Sequence, residues 1–138
     1  MQTLNRTQSI ELHNALSQKG LKAKHISGEN FIKLINLKSL LKNKLSELQE
    51  AEEALAEEEG ATQTQFGYLI DPKVTEQGLV SGNPEKNAEF VKSMREKQKA
   101  FKVECELHFV PQKELEEYCK EQDTEITATL FEYLLLAK

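Results

Sequence analysis

Residues 27–60 read SGENFIKLINLKSLLKNKLSELQEAEEALAEEEG, and this stretch decides the fold. Ser27 is a residue type that caps helix N-termini, and Gly60 suits the position just after a helix ends. The helix between them would be about 45 Å long at the standard rise. A compact globule of 138 residues has a radius of gyration of only about 14 Å. We therefore expect a helix that either projects from the body of the protein or is covered by a partner.

An apolar stripe runs along this predicted helix at spacings of mostly three and four residues. Its members are Phe31, Leu34, Leu37, Leu41, Leu45, Leu48 and Leu55. Ile32, Ile35 and Leu40 widen the stripe in the first half, which predicts burial there on more than one side. A strict heptad fails because charged residues such as Lys38 and Glu52 fall on a candidate seam. The pattern favours a helical hairpin over a long parallel coiled coil.

Charge is sorted along the same stretch. Between Lys19 and Lys44 there are seven lysines and one acid, Glu29, whereas residues 47–59 hold seven glutamates and no base. Two solvated helix faces are the simplest explanation. The alternative is antiparallel pairing with a second copy, in which each basic half faces an acidic half.

Residues 1–26 predict a loose N-terminus, a short helix and a connector. Ser9 suits the N-cap, Leu12 and Leu16 share one face, and Gly20 is placed to end the helix. Residues 61–83 predict a loop, within which the extended pieces FGYLI and GLV can pair as a small hairpin around the Asp-Pro pair of IDPK.

Residues 84–138 predict a return helix, a strand and two C-terminal helices. The return helix begins at an Asn-Pro-Glu sequence with Asn83 as its cap and runs back along the distal half of the long helix. Residues 101–110 alternate apolar and polar side chains as a half-buried strand does. Its mate is either the FGYLI piece or residues 124–126.

The last predicted helix closes the core. Thr127 suits its N-cap, and Leu130, Phe131 and Leu134 share its inner face. The fold class is therefore α+β and mostly helical, a long antiparallel helical hairpin with a small β element and a C-terminal helix. It is expected to form a single domain over residues 1–138, made of a short helix and connector (1–26), the long helix (27–60), a loop (61–83), and the return helix, strand and C-terminal helices (84–138).

Composition and charge indicate which kinds of partner the protein can bind and where in the cell it is found. A formal net charge of −5 argues against general affinity for nucleic acid or anionic membranes. No stretch approaches the ~20 apolar residues that cross a bilayer, and residues 1–9 lack the apolar run of a signal peptide. Cys105 and Cys119 are expected to be free, buried thiols, with a disulfide between them as the alternative. We therefore expect a cytoplasmic protein without membrane attachment.

Sequence motifs for catalysis and metal binding are missing. The chain contains no GxSxG, no P-loop and no GxGxxG. Cys105 and His108 are three residues apart, which on a strand places them on opposite faces. The glutamates of residues 50–59 lie on an exposed helical run with no apolar pocket to raise a pKa. The sequence predicts a non-enzymatic protein with no metal, no cofactor and no small-molecule substrate.

Protein–protein contact, including homo-oligomer formation, is the predicted function. The residues expected to make an apolar contact are Phe31, Leu34, Ile35, Leu41 and Leu45. If these prove to be intramolecular core, the contact shifts to the loop at Phe66, Tyr68 and Ile70. A nucleic-acid-binding accessory protein is the alternative, using the basic residues Lys33, Lys38, Lys42 and Lys44 against phosphates.

The order of elements resembles that of small helical-hairpin proteins encoded by tailed bacteriophages. The pieces that carry the resemblance are NALSQKGLKAKHISGENFIKLI, LLKNKLSELQEAEEALAEEEG, KNAEFVKSM, KVECELHFVPQKELEE and TEITATLFEYLLLA. The resemblance implies a non-enzymatic protein that is made with virion morphogenesis components or acts on a host protein. Such a protein would be found in the host cytoplasm or in the virion.

Overall fold

The computed structural model describes residues 1–19 and 21–136, and that part of the chain is α+β and mostly helical, as predicted. The α-helices are α1 (Arg6–Leu16), α2 (Gly28–Glu59), α3 (Pro84–Ala100), α4 (Gln112–Tyr118) and α5 (Thr124–Leu134), with a short 3-10 helix at Ala23–His25. The strands are β1 (Gln2–Leu4), β2 (Ala61–Thr64), β3 (Gly67–Ile70), β4 (Pro72–Thr75), β5 (Gly78–Ser81) and β6 (Val103–Cys105).

The chain divides into two compact units. The first unit joins Met1–Leu45 to the described chain from Lys102 onward, and the second unit is Ser46–Phe101. Helix α2 contributes residues to both units. The single domain expected from the sequence stays a prediction.

In the first unit, β6 pairs antiparallel with β1 at the N-terminus. Gln2 lies opposite Cys105, and Leu4 lies opposite Val103. Both strand mates expected from the sequence, the FGYLI piece and residues 124–126, are therefore wrong, as is the loose N-terminus. Leu4 is the buried apolar residue of a strand of only three residues. Such a strand carries no alternating pattern that sequence reading can detect.

The strand predicted over residues 101–110 is shorter than expected because His108 bends the chain. Its φ of 60° lies in the left-handed region, which breaks regular strand geometry. Beyond the bend the backbone pairs with the C-terminal end of α5: the His108 N–H donates to the Tyr133 carbonyl at 2.9 Å, and the Val110 N–H donates to the Leu134 carbonyl at 2.9 Å. The predicted alternation still holds, because the apolar side chains that are buried are Val103, Cys105, Leu107 and Phe109.

Helix α1 has its cap at Asn5, four residues earlier than the predicted cap at Ser9. Asn5 caps it, since the Gln8 N–H donates to Asn5 Oδ1 at 2.9 Å and the Asn5 N–H donates to Gln8 Oε1 at 3.0 Å. This reciprocal capping box requires a Glu or Gln three residues after the cap, and Ser9 has Leu12 there instead. Leu12 and Leu16 share the buried face, as predicted. The expected helix stop at Gly20 lies outside the described residues.

Helix α5 is capped by Asp123 rather than by Thr127. The Ile126 N–H donates to Asp123 Oδ1 at 2.9 Å. Asp and Thr are both good capping residues, so the sequence contains two possible caps four residues apart. Leu130 and Leu134 are buried as predicted, and α5 packs against α1.

The second unit contains two β-hairpins where a loop was predicted. β2 pairs with β3 and β4 pairs with β5, both antiparallel. The expected pairing of FGYLI with GLV is wrong, because Asp71 and Pro72 connect the two hairpins and do not form a tip. Each tip instead ends in a glycine with positive φ: 104° at Gly67 and 105° at Gly78. Glycine adopts this conformation without steric cost.

The two hairpins share a sequence signal, Thr-x-x-Gly, at residues 64–67 and 75–78. The Thr64 hydroxyl donates to the Gly67 carbonyl at 2.6 Å, and the Thr75 hydroxyl donates to the Gly78 carbonyl at 2.9 Å. The repeated threonine bond fixes the start of each turn. This repeat identifies both tips and was available in the sequence.

The core of the second unit joins α3 to the end of α2, as in the predicted helical hairpin. Its buried residues are Leu55, Ala56, Ile70, Phe90 and Met94. Tyr68 packs edge-on against Phe90, with ring centroids 6.2 Å apart and planes at 77°. The Ile70 N–H donates to Asn87 Oδ1 at 3.1 Å, which ties β3 to α3. Asn83 caps α3 as predicted, accepting from the Lys86 N–H at 3.2 Å.

Candidate interaction surface

The predicted contact stripe of α2 is mostly interior. Leu34 and Leu41 are buried within the first unit, and Leu41 has no exposed area at all. Phe31 and Leu45 are half-buried. Of the five residues expected to make an apolar contact, only Ile35 is exposed. Residues three and four apart share one side of a helix. In α2 the rest of the chain covers that side.

Ile32 and Ile35 form an exposed apolar surface on α2, here called the outer patch. Ile32 is 60% exposed and Ile35 is 47% exposed. The prediction that these residues are buried along with the stripe is wrong for the single chain. At 100° per residue, Ile32 and Ile35 are rotated by about 100° or more from Leu34 and Leu41, and the described chain leaves both isoleucines exposed.

A groove of about 280 Å³ adjoins the outer patch in the first unit. The residues that line it are Leu16, Gln18, Leu21, Ala23, Phe31, Leu34, Ile35, Lys38 and Tyr118. The connector between α1 and α2 forms one wall. This wall is fixed to the C-terminal part of the unit, because the Ser27 N–H donates to Glu114 Oε1 and Lys22 Nζ lies 3.0 Å from Glu121 Oε1. The groove therefore has a mixed polar and apolar lining and one wall that the C-terminal part of the unit holds in place.

Positive charge borders the groove and the outer patch. Lys38 lines the groove, and both Lys38 and Lys42 are exposed on α2. Their charges reach α1, where burial first and then Lys38 and Lys42 lower the pKa of His13 from its ordinary value. His13 Nε2 is buried, and no hydrogen-bond partner for it lies within the described chain.

The predicted nucleic-acid residues do not form one surface. Lys33 Nζ lies 3.2 Å from Glu106 Oε1 and 5.5 Å from the centre of the Phe109 ring, so the segment after β6 already pairs with this lysine. Lys38 instead lines the groove, and Lys42 and Lys44 are exposed farther along α2. Nucleic-acid binding stays a prediction without a single basic surface to carry it.

The second predicted contact, at Phe66, Tyr68 and Ile70, is split between surface and core. Phe66 is 74% exposed at the tip of the β2–β3 hairpin. Ile70 is buried and Tyr68 packs against the core of the second unit. Sequence reading missed Val74 on β4, which is 86% exposed. Phe66 and Val74 lie on different hairpins.

Both cysteines are free thiols of low nucleophilic reactivity. Cys105 and Cys119 are both buried and unpaired with each other, as predicted, so the alternative disulfide is wrong. Burial raises the pKa of Cys105, and burial raises the pKa of Cys119 to about 11. A thiol with a raised pKa is protonated near neutral pH and is a poor nucleophile.

In the described part of the chain, His, Cys, Asp and Glu side chains form no group of three or more suited to a metal ion. Among the same residues, every helix is too short or too polar to span a bilayer. The non-enzymatic character of the protein stays a prediction.

Comparison with known proteins returned no relatives. No family model matches the sequence, and neither a curated protein nor a solved structure is significantly similar to it. The resemblance to small phage proteins therefore stays a prediction.

Proposed function

We propose that this chain is a non-enzymatic protein–protein interaction protein that self-associates through the outer patch of α2. The observation that supports this most strongly is the exposure of Ile32 and Ile35, the second of which lines a groove of the first unit. Exposed apolar side chains that lie together beside a concave surface are typical of an interaction site.

The energetic reason is the apolar area that contact would remove from water. Fully burying an exposed isoleucine contributes about 1.5–3 kcal/mol. Phe31 and Leu21 are half-buried at the groove and would add to this area. Because association also costs translational and rotational freedom, a patch of this size supports self-association of modest affinity that depends on protein concentration.

The biological class that we propose is a structural, assembly or host-interaction factor of the tailed-phage type, acting in the host cytoplasm or the virion. Its support is the order of elements: a short helix, a long charged helix, a return helix, a strand and closing helices, with two hairpins where the resemblance expects a glycine-containing loop. Proteins of this kind work through surfaces, and the outer patch with its groove is one such surface of the first unit.

The test removes the outer patch without touching the core. We expect the solution mass of the wild type, measured by light scattering, to rise with concentration, whereas the double variant Ile32→Ser/Ile35→Ser stays at the chain mass of 15.7 kDa. Val74→Ser is the matched control, because Val74 is an exposed apolar residue in the other unit. Equal association of the wild type and the double variant would exclude the outer patch as the contact.

A further inference from the structure

We propose that a cationic face of α3 binds an acidic face of α2 from a second copy of this chain. Both faces lie within the second unit, and neither includes the outer patch. The contact therefore goes beyond the proposed function and adds a second association surface to it. Its basis is a match of charge and of helical spacing between the two faces.

The cationic face lies on the side of α3 that points away from the core. Its residues, spaced four, three and four apart, are Ala88, Lys92, Arg95 and Lys99, and all of them are exposed. At 100° per residue, the three cations are rotated by about 100° or more from the buried Phe90 and Met94. In the described part of the chain, no carboxylate forms an ion pair with these cations. A groove of about 480 Å³ runs along this face.

The acidic face of α2 repeats this spacing with the opposite charge. Its residues, again four, three and four apart, are Ser46, Glu50, Glu53 and Glu57, and all of them are exposed. They are rotated by about 140° or more from the buried Leu48 and Leu55. Glu53 Oε1 accepts from Gln49 Nε2 at 3.2 Å, and a carboxylate has further acceptor sites for a cation.

The two faces cannot meet within one unit. Helices α2 and α3 turn their buried sides toward the same core, so the charged face of each helix points away from that core. Like charges three and four residues apart on one helix also repel each other. A second copy supplies the opposite charge to each face, which makes the two surfaces electrostatically complementary.

A parallel alignment of the two helices matches every position of the two faces, because the spacings run in the same order. The three ion pairs are Glu50 with the partner's Lys92, Glu53 with the partner's Arg95, and Glu57 with the partner's Lys99. The same alignment places Ser46 beside the partner's Ala88. Both of these side chains are small, which permits close approach of the helices at that end of the contact.

Charge pairs at an exposed contact determine specificity and salt dependence more than affinity. Each exposed ion pair contributes little, because water and salt screen it. We therefore expect a weak association that is lost as the salt concentration rises. Because the contact joins two different faces, each pair of copies keeps one unused face of each kind, to which further copies can add.

The first test is made in the Ile32→Ser/Ile35→Ser chain, so that the outer patch cannot contribute. Sedimentation equilibrium should show association of this chain at low salt, about 0.1 M, and a monomer at high salt, about 1 M, because the screening length falls from about 10 Å to about 3 Å. The mass measurements on the outer patch itself belong at high salt, where the charged contact does not form.

A charge swap in the same chain identifies the two faces. Glu50→Lys and Lys92→Glu should each weaken the low-salt association about fivefold, because each replaces an attractive pair by a repulsive one. Both substitutions together should restore the affinity, since the pair re-forms with its signs exchanged. Lys97→Glu is the matched control, because Lys97 is an exposed lysine on another side of α3, and it should leave the dissociation constant unchanged.

A cross-link tests the direction of the two helices. An equimolar mixture of Ser46→Cys and Ala88→Cys chains should form a mixed disulfide on mild oxidation at low salt, because the parallel alignment places these positions side by side. Mass spectrometry of the linked peptides identifies the product. An antiparallel alignment of the same charges would separate the two positions by about 22 Å along the helices and would give no mixed disulfide.

The outcomes separate this contact from the outer patch. A chain that is monomeric at low salt in the first test overturns the inference and shows that the cationic face has a different occupant or none. Association that both single charge variants leave unchanged, or that the double variant fails to restore, overturns it as well. Neither result affects the proposed function, which is tested at high salt. Absence of the mixed disulfide overturns the parallel alignment.

Discussion

At the scale of single residues, His13 couples the packing of α1 to pH. Burial, followed by Lys38 and Lys42, lowers its pKa from the ordinary 6.5. The unfolded chain therefore binds a proton at a higher pH than the folded chain does. Linkage then requires the folded state to lose stability as pH falls through 6.5 toward the lowered pKa.

The corresponding prediction concerns urea midpoints at about pH 5.5 to 7.5, the range in which histidine dominates titration. We expect the wild-type midpoint to fall as the pH is lowered across this range, and we expect a flatter dependence for His13→Gln, which cannot titrate. His25→Gln serves as the control for replacing a histidine elsewhere in the first unit. Identical slopes for the wild type and His13→Gln would contradict this account.

Gly82 is the second residue whose role is local. A Cβ at this position would meet the Asp71 carboxylate and would lie 2.8 Å from the Asp71 carbonyl oxygen. The Gly82 N–H also donates to that carbonyl at 2.6 Å, which closes the connection between β3 and β5. The backbone at Asp71 therefore has to shift to admit any side chain.

We expect Gly82→Ala to destabilise the protein by about 1–3 kcal/mol, the usual cost of forcing extra atoms into a packed site. Gly28→Ala is the matched control, because nothing lies within 4 Å of a Cβ at Gly28. That change should be neutral or slightly stabilising through the unfolded chain. Urea denaturation of both variants is the measurement, and equal midpoints would show that the approach to Asp71 relaxes without cost.

At the scale of elements, α2 has an interior side and an outer side that respond differently to mutation. Leu41→Ala removes a fully buried side chain and should cost about 2–5 kcal/mol. Ile35→Ala removes an exposed side chain and should change the free energy of unfolding by less than about 0.5 kcal/mol at concentrations where the chain is monomeric. Similar losses for both variants would show that the outer patch is part of the core.

Local signals explain which elements could be predicted from the sequence. Helix α2 was predicted to within one residue at each end, because Ser27, Gly60 and the stripe all agree. Helix α3 was predicted for the same reason from its Asn83 cap. The two hairpins were not predicted because Asp71 and Pro72 are themselves turn-forming residues and were assigned to the tip of a single hairpin. The repeated Thr-x-x-Gly marks the two tips that the structure has.

Pairings between distant segments could not be predicted in this way. β1 and β6 are separated by about a hundred residues, and each is three residues long. Neither the pairing of β1 with β6 nor that of Val110 with Leu135 leaves a short-range pattern. The bend at His108 is likewise invisible, because the alternation of side chains continues across it.

At the scale of the whole molecule, one helix supplies core residues to two compact units. Leu34, Leu37 and Leu41 are buried in the first unit, and Leu55 and Ala56 belong to the core of the second. The sequence predicted one continuous stripe. It did not predict that two separate units bury different parts of that stripe. A stripe reports which side of a helix is covered; it does not report which segments cover it. Helical spacing places Ile32 and Ile35 on another side of α2 than Leu41, but the sequence does not report whether any segment covers that side.

The central claim is that the outer patch mediates self-association, and the most direct test is the solution mass of the wild type across a wide concentration range. Light scattering should give a mass that rises from 15.7 kDa toward twice that value as the concentration increases. A mass that remains at 15.7 kDa at every concentration would contradict the claim and would show that Ile32 and Ile35 stay exposed to solvent in the isolated protein.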